Sequence, residues 1–172
     1  MPNQAGTYFG DTIIYICEHS KNGAMGLLVN RPSRLTLVEL LSQVGLSAPD
    51  VSIEIPVMEG GPVASGRGFV LHTEDQSFES SLGLGKGLML SSAREILEAI
   101  ASGDGPKDFL VTMGYAGWAS GQLEDELKGN AWLNFPANLD VLFRTPFDDR
   151  ANQAAATHGI DFRLISGQAG HA

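Results

Sequence analysis

Short β-branched and aromatic runs alternate along this chain with stripes of leucine and isoleucine at helical spacing, and turn residues separate them. Thr12-Ile13-Ile14-Tyr15-Ile16-Cys17 reads as a strand buried on both faces. Asn22-Gly23 follows, a dipeptide that takes the positive φ angles of a tight turn, so Ala24 to Val29 is expected to return as the second strand of a hairpin. Arg31-Pro32-Ser33 is expected to break that strand, because proline has no amide to give a ladder. Thr36 and Glu39 then match a capping box ahead of an apolar face at Leu37, Leu40, Leu41 and Val44, and Gly45 is placed to end the helix.

The pattern continues in the same way. Ile53 to Met58 reads as a strand kept at an edge or bulged by Pro56, Gly60-Gly61-Pro62 as a turn, and Gly68 to His72 as a strand. Thr73 to Ser81 is polar and acidic, a loop, and Leu88 to Leu90 is expected to join the sheet. Ser92 and Glu95 predict a second capping box, with Ala93, Ile96, Leu97 and Ile100 as its stripe and Gly103 as its stop. Asp108 to Met113 is a further strand, and Gly114-Tyr115-Ala116-Gly117-Trp118 is expected to turn the chain. A short helix is predicted over Ser120 to Lys128, with Leu123 and Leu127 inward and Glu124 and Lys128 paired one turn apart. Ala131 to Phe135 and Ile160 to Ile165 read as strands, Asn138 to Phe143 and Asp148 to His158 as helices, and Gly167 to Ala172 as a frayed tail. Strands and helices interleave without a regular βαβ period, which predicts an α+β fold, and no linker or repeat divides residues 1–172.

Composition narrows the function. A chain of 172 residues fits one domain with a real core. No apolar run reaches the roughly 20 residues of a membrane span, and the start lacks the pattern of a signal peptide. With a single cysteine no intrachain disulfide forms, so a reducing, cytoplasmic setting is expected. The formal charge of -9, with scattered basic residues, argues against direct binding to nucleic acid or to anionic membranes.

The candidate chemistry is sparse. Gly83-Leu84-Gly85-Lys86-Gly87 runs into Leu88-Met89-Leu90 rather than a helix start, so it reads as a turn and not a phosphate loop. Gly117-Trp118-Ala119-Ser120-Gly121 has the wrong spacing for a nucleophile elbow, and Ser120 is expected to cap the helix that follows. Cys17, inside an apolar strand, reads as inert packing. His19, His72, His158 and His171 lie far apart; folding could unite His19 and His72, but no metal site or cofactor is predicted, and His158 suits a helix C-terminus. Gly114 to Trp132 is the richest segment. Gln122 and Glu126 lie one helical turn apart beside Trp118, an arrangement that serves equally a small-ligand site or a core anchor with a solvated helix face.

Several stretches, taken in order, resemble the YqgE/AlgH family of largely uncharacterised bacterial proteins. They are Glu18-His19 with Gly23-Ala24-Met25-Gly26, Asn30-Arg31-Pro32, Gly60-Gly61-Pro62-Val63, Gly68-Phe69-Val70-Leu71-His72, Gly114-Tyr115-Ala116-Gly117-Trp118 with Gly121-Gln122-Leu123-Glu124, Asn130-Ala131-Trp132-Leu133 and Gly170-His171-Ala172. The resemblance implies a compact α+β domain whose bifurcated sheet curls toward a pseudo-barrel with flanking helices. It supplies no accepted activity. The AlgH name implies regulation of transcription, and without a helix-turn-helix or other DNA reader that role is expected to be indirect, through a protein partner or a small ligand. Family members usually carry one more apolar strand before the position of Met1-Pro2, so an internal start or a lost strand is expected, leaving a sheet edge open to homodimerisation.

Three functions follow as expectations. The first is a non-enzymatic regulatory or binding protein with a surface drawn from His19, Asn30, Arg31, His72, Trp118, Gln122 and Glu126. The second is an enzyme, a hydrolase for instance, using His72 or His19 as acid–base with Glu18 or Glu126 orienting it. The third, a DNA binder, requires a clustered basic face. A close His–carboxylate contact in a cleft favours the enzyme; dispersed, solvated polar groups favour the binder.

Overall fold

The computed structural model describes Phe9 and residues 11–160. In chain order the elements are β1 (Ile14–Ser20), β2 (Gly23–Leu28), β3 (Pro32–Thr36), α1 (Leu37–Gln43), β4 (Pro56–Glu59), β5 (Val63–Thr73), β6 (Leu82–Gly85), β7 (Leu88–Ser91), α2 (Arg94–Ser102), β8 (Phe109–Ala119), α3 (Gln122–Lys128), α4 (Leu139–Phe143) and α5 (Arg150–Ala156). Six strands pair in the order β1-β2-β8-β5-β7-β6, and β4 joins β8 while carrying β3 on its far side. Every pairing is antiparallel except that of β4 with β8.

The sheet forks along β8. Thr112 and Met113 pair with β4, and Ala116 to Ala119 pair with β2, so one edge of β8 serves two strands that diverge at Gly114. The Gly60 N–H donates to the Met113 carbonyl at 2.8 Å, and the Gly60 carbonyl accepts the Leu28 N–H at 2.9 Å, which stitches both branches to one residue. Gly61 has φ +150°, and a Cβ there would stand 2.1 Å from the Tyr115 carbonyl carbon. Gly114 has φ +74°, and its Cβ would stand 2.4 Å from the Gly61 carbonyl oxygen. Only glycine allows backbones this close, so these two motif glycines serve the fold.

Curvature then creates two interiors. Tyr15, Leu27, Leu110, Leu71, Leu88 and Leu84, one from each of the six strands in the main path, meet in a single apolar cluster that Leu142 of α4 closes. The strands therefore wrap toward a barrel. On the outer face, Val57, Val70 and Val111 pack against Leu37, Leu40 and Leu41 of α1 and Ile96 and Ile100 of α2. A third cluster, Leu28, Ala116, Trp118 and Leu123, lies under α3.

The hairpin, α1 with its capping box, and the left-handed glycines Gly45 and Gly103 all stand where the pattern puts them. Other expectations change. β1 is not buried on both faces: Ile16 is 38% exposed, and among the described residues β1 pairs with β2 alone. Lys21 and Asn22 are the hairpin's turn residues, and Gly23 already belongs to β2. β2 does end before Arg31-Pro32-Ser33, at Leu28, but Pro32 then opens a further strand, β3, a position where its missing N–H costs nothing. Gly114 to Trp118 does not turn the chain; the positive φ of Gly114 lets β8 run through as one strand. Ala93, not Ser92, is the N-cap of α2, and Glu95 instead accepts from Ser80. Gly121 rather than Ser120 precedes α3; the Ser120 hydroxyl donates to the Lys21 carbonyl, and Lys128 pairs with Asp125 in place of Glu124. Residues 131–135 form no strand. Residues 161–165, the tail 167–172 with His171, and Met1-Pro2 lie outside the described residues.

Candidate functional site

A β-bulge builds the site. Ile16 pairs with Gly26 and Glu18 with Met25, so β1 carries one extra residue at Cys17. Strict alternation would put His19 on the face of Tyr15 and Cys17, inside the barrel. The bulge switches it: His19 pairs with Ala24, Ala24 with Trp118, and the three side chains share the outer face.

There α3 meets them. The Gln122 side-chain carbonyl accepts the Ala119 N–H at 3.0 Å, and its amide donates to Glu126 Oε1 at 2.9 Å. Glu126 Oε2 accepts both indoles, from Trp118 at 2.9 Å and Trp132 at 2.6 Å. Burial alone would raise the Glu126 pKa, but the bonds from Trp132, Gln122 and Trp118 outweigh it and hold the carboxyl below its ordinary value. His19 Nε2 stands 2.7 Å from Glu124 Oε1, with both side chains well solvated at 43% and 40% exposure. Glu124 is held below its ordinary value by its own main-chain N–H and then by His19.

Beside this cluster lies a cleft of about 1090 Å³ lined by residues 11–16, which lead into and along β1, and by His19 near its end. Ile14, Trp118, Leu123, Leu127 and Trp132, which pack together, wall one side; Tyr15, Leu84 and Leu142 of the barrel interior wall the other. The irregular segment from Trp132 to Asn138 and the α5 residues Ala151 and Ala154 complete it.

Of the candidate residues, His19, Trp118, Gln122 and Glu126 come together here, and Asn30, Arg31 and His72 do not. Asn30 is a strut: its carbonyl accepts the Ile13 N–H and its amide donates to the Asp11 carbonyl, both at 2.9 Å. Arg31 lies 4.0 Å from Glu59. His72 is fully buried, and its β8 neighbour is Phe109, at the opposite end of that strand from the Trp118 that shares a row with His19. Its Nδ1 bonds the Thr73 carbonyl at 2.8 Å and its Nε2 meets Ser91 Oγ at 2.9 Å; Ser91 in turn meets Ser81 at 2.6 Å. Burial pushes the Cys17 thiol up to about 12, which leaves it inert. Among the described residues no three His, Cys, Asp or Glu side chains gather as a metal site.

Sequence reasoning missed three residues. Glu124 is the partner of His19, a pairing across 105 residues that no local spacing reveals. Trp132 sits on irregular backbone, where no periodicity flags it. Arg150 is only 5% exposed, and its guanidinium donates to the Thr145 and Val29 carbonyls. No helix among the described residues is long and apolar enough to cross a membrane.

A family model described as AlgH-like matches residues 1–163. A UPF0301 protein of Thioalkalivibrio sulfidiphilus is 49% identical over all of this chain and 92% of its own length, and one of Pseudomonas entomophila is 47% identical over the same shares. Among solved structures, the solution structure of the AlgH protein from Pseudomonas aeruginosa superposes with a TM-score of 0.79 at 46% identity, covering all of this chain and 92% of that one. A Corynebacterium diphtheriae protein, 18% identical with a TM-score of 0.65 over 83% of this chain and 76% of its own, shares the fold.

Proposed function

The chain belongs to the AlgH-like family, and we propose that it is a non-enzymatic binding protein whose ligand enters the cleft along β1. Any effect on transcription is then indirect, because a formal charge of -9 opposes the counterion release that drives binding to a duplex. The observation that carries the reading is the make-up of the cleft. Its size, about 1090 Å³, is that of a ligand site, and its walls are mostly aliphatic and aromatic. The polar groups nearest Trp118 are already engaged, since Gln122 and Glu126 fix the two indoles. This leaves an apolar enclosure with a few polar groups, which is a place to hold a molecule more than a place to react one. The reading supposes a cytoplasmic protein, and the single cysteine supports that.

The test is binding of 8-anilinonaphthalene-1-sulfonate and a panel of amphipathic metabolites, followed by tryptophan fluorescence and thermal shift. Binding is expected in the wild type and is expected to be lost in Ile16→Lys, which sets a charge on the cleft wall. A protein that binds none of these and shows no change in tryptophan emission would sink the reading.

One observation favours a second reading. The His19–Glu124 contact of 2.7 Å stands at the rim of the cleft, so an acid–base enzyme would use Glu124, rather than Glu18 or Glu126, to orient the imidazole. Hydrolysis of p-nitrophenyl esters that disappears in His19→Ala, with binding of the dye intact, would establish it. A rate equal in the two proteins excludes it.

A further inference from the structure

The wall of the cleft is a strand edge, and its main chain has a direction. Ile13 turns both its polar groups toward β2: its carbonyl accepts the Val29 N–H at 3.0 Å, and its N–H donates to Asn30 Oδ1 at 2.9 Å. Successive residues of a strand point these groups to opposite edges. The N–H and C=O of Ile14 and Ile16 therefore face away from β2, toward the cleft, where among the described residues no strand pairs with β1.

The side chains around that edge are apolar on both faces. Ile14 and Ile16 line the cleft on the side of Trp118, Leu123, Leu127 and Trp132, and Tyr15 lines it on the side of Leu84 and Leu142. A strand laid beside β1 would project alternate residues into each of these walls, so it must be apolar at every position. Its flanks meet more carboxylates than bases. The carboxylates of Asp11 and Asp148 line the cleft against a single lysine, Lys86, and Glu18 and Glu124 stand beside His19 at its other end.

On the reading that this cleft is a binding site, we propose that its ligand is an extended peptide segment of another protein. The segment has an apolar centre and basic flanks, and it adds to the sheet as a strand paired with Ile14 and Ile16. Main-chain bonds supply affinity, the two apolar walls select the side chains, and the acidic rim selects the lysines or arginines.

The probe is a nine-residue peptide with two lysines at each end and five valine, isoleucine and phenylalanine residues between them. Two versions carry N-methyl groups on one or the other alternate set of central residues. Only one set can donate to β1, so one version is expected to lose at least tenfold in affinity while the other matches the parent. Added salt should weaken all three. Equal binding of both methylated versions overturns the proposal, because the cleft would then take apolar mass without a ladder. So does peptide binding that appears only after residues 1–8 or 161–172 are deleted, which would make this chain its own occupant. A dimer in sedimentation that Ile16→Lys dissociates also overturns it, in favour of a second copy. Dye binding without peptide binding removes the peptide and leaves the binding cleft; failure of both removes the cleft reading itself.

Discussion

Trp132 stands edge-on to Trp118, with ring centroids 6.0 Å apart and planes at 78°, and both indoles donate to the same oxygen of Glu126. One carboxylate thereby fixes the end of β8, helix α3 and the irregular segment after it. Glu126→Ala leaves two indole donors unpaired, and a loss of about 2 kcal/mol is expected for bonds to a charged acceptor. In a domain of this size that lowers Tm by roughly 4 to 8 °C. Glu126→Gln keeps an oxygen for the indoles but turns an amide toward that of Gln122, so a smaller loss is expected. Because the folded carboxyl is held below its ordinary value, the advantage of Glu over Gln is full above about pH 4.3 and fades as pH falls through the folded value. Thermal melts of the three proteins between pH 7 and pH 3 check this.

The fork of the sheet makes a sharper demand. Ala at Gly61 or at Gly114 would put a methyl within 2.4 Å of backbone that has nowhere to go, in a φ region side chains avoid. Each substitution is expected to cost more than about 4 kcal/mol and to leave little folded protein. Gly45→Ala is the control: its φ is +78°, yet nothing lies within 4 Å, so a loss of about 1 kcal/mol is expected. Circular dichroism and soluble yield separate the two cases. A Gly114→Ala protein that melts like Gly45→Ala would refute the account of the fork.

How far the sequence is legible depends on whether a signal is local. The hairpin, the capping box of Thr36 and Glu39 and the left-handed glycines are set by neighbours within a few residues, and they can be read. The same grammar misleads at Ser92, because Glu95 finds Ser80 of a distant loop instead. It misleads again at Gly114-Tyr115-Ala116-Gly117-Trp118, where Gly114 looks like part of a turn but is required by the approach of Gly61. In the candidate site, Gln122 and Glu126 are visible as a one-turn pair, whereas the place of His19 depends on a bulge and on β2 and β8. Partnerships across sheets and irregular segments carry no period, and the half of the site that rests on them is hidden.

Arg150 illustrates what that hides. Its buried guanidinium joins α5 to the end of β2 through the Val29 carbonyl and to the chain after α4 through the Thr145 carbonyl, with a pKa that burial lowers. A fork of donors serves two carbonyls that one ammonium cannot reach together. Arg150→Lys is therefore expected to destabilise by about 2 kcal/mol despite keeping the charge. It should also loosen α5 against the cleft, which hydrogen exchange of residues 150–156 would register. Exchange and melting equal to wild type would show that the fork is not needed.

His72 links stability to pH with a definite sign. Its Nδ1 must carry the proton, since it meets a carbonyl, which leaves the Nε2 lone pair to accept the Ser91 hydroxyl, and Ser91 to accept from Ser81. Burial disfavours the imidazolium, and although the Thr73 carbonyl and the field of Asp75 act the other way, the folded pKa stays below the ordinary value. The unfolded chain thus takes up the proton first as pH falls. The contribution of His72 is complete above about pH 6.5 and is lost as pH drops from there through the folded value. His72→Leu is expected to be less stable at pH 8, because Ser91 loses a partner, but its disadvantage should shrink steadily toward pH 5. Urea melts of both proteins at half-unit steps give that difference directly. A gap that stays constant from pH 8 to pH 5 would mean that the imidazole is as easily protonated folded as unfolded, and that Ser81 and Ser91 impose no direction on it.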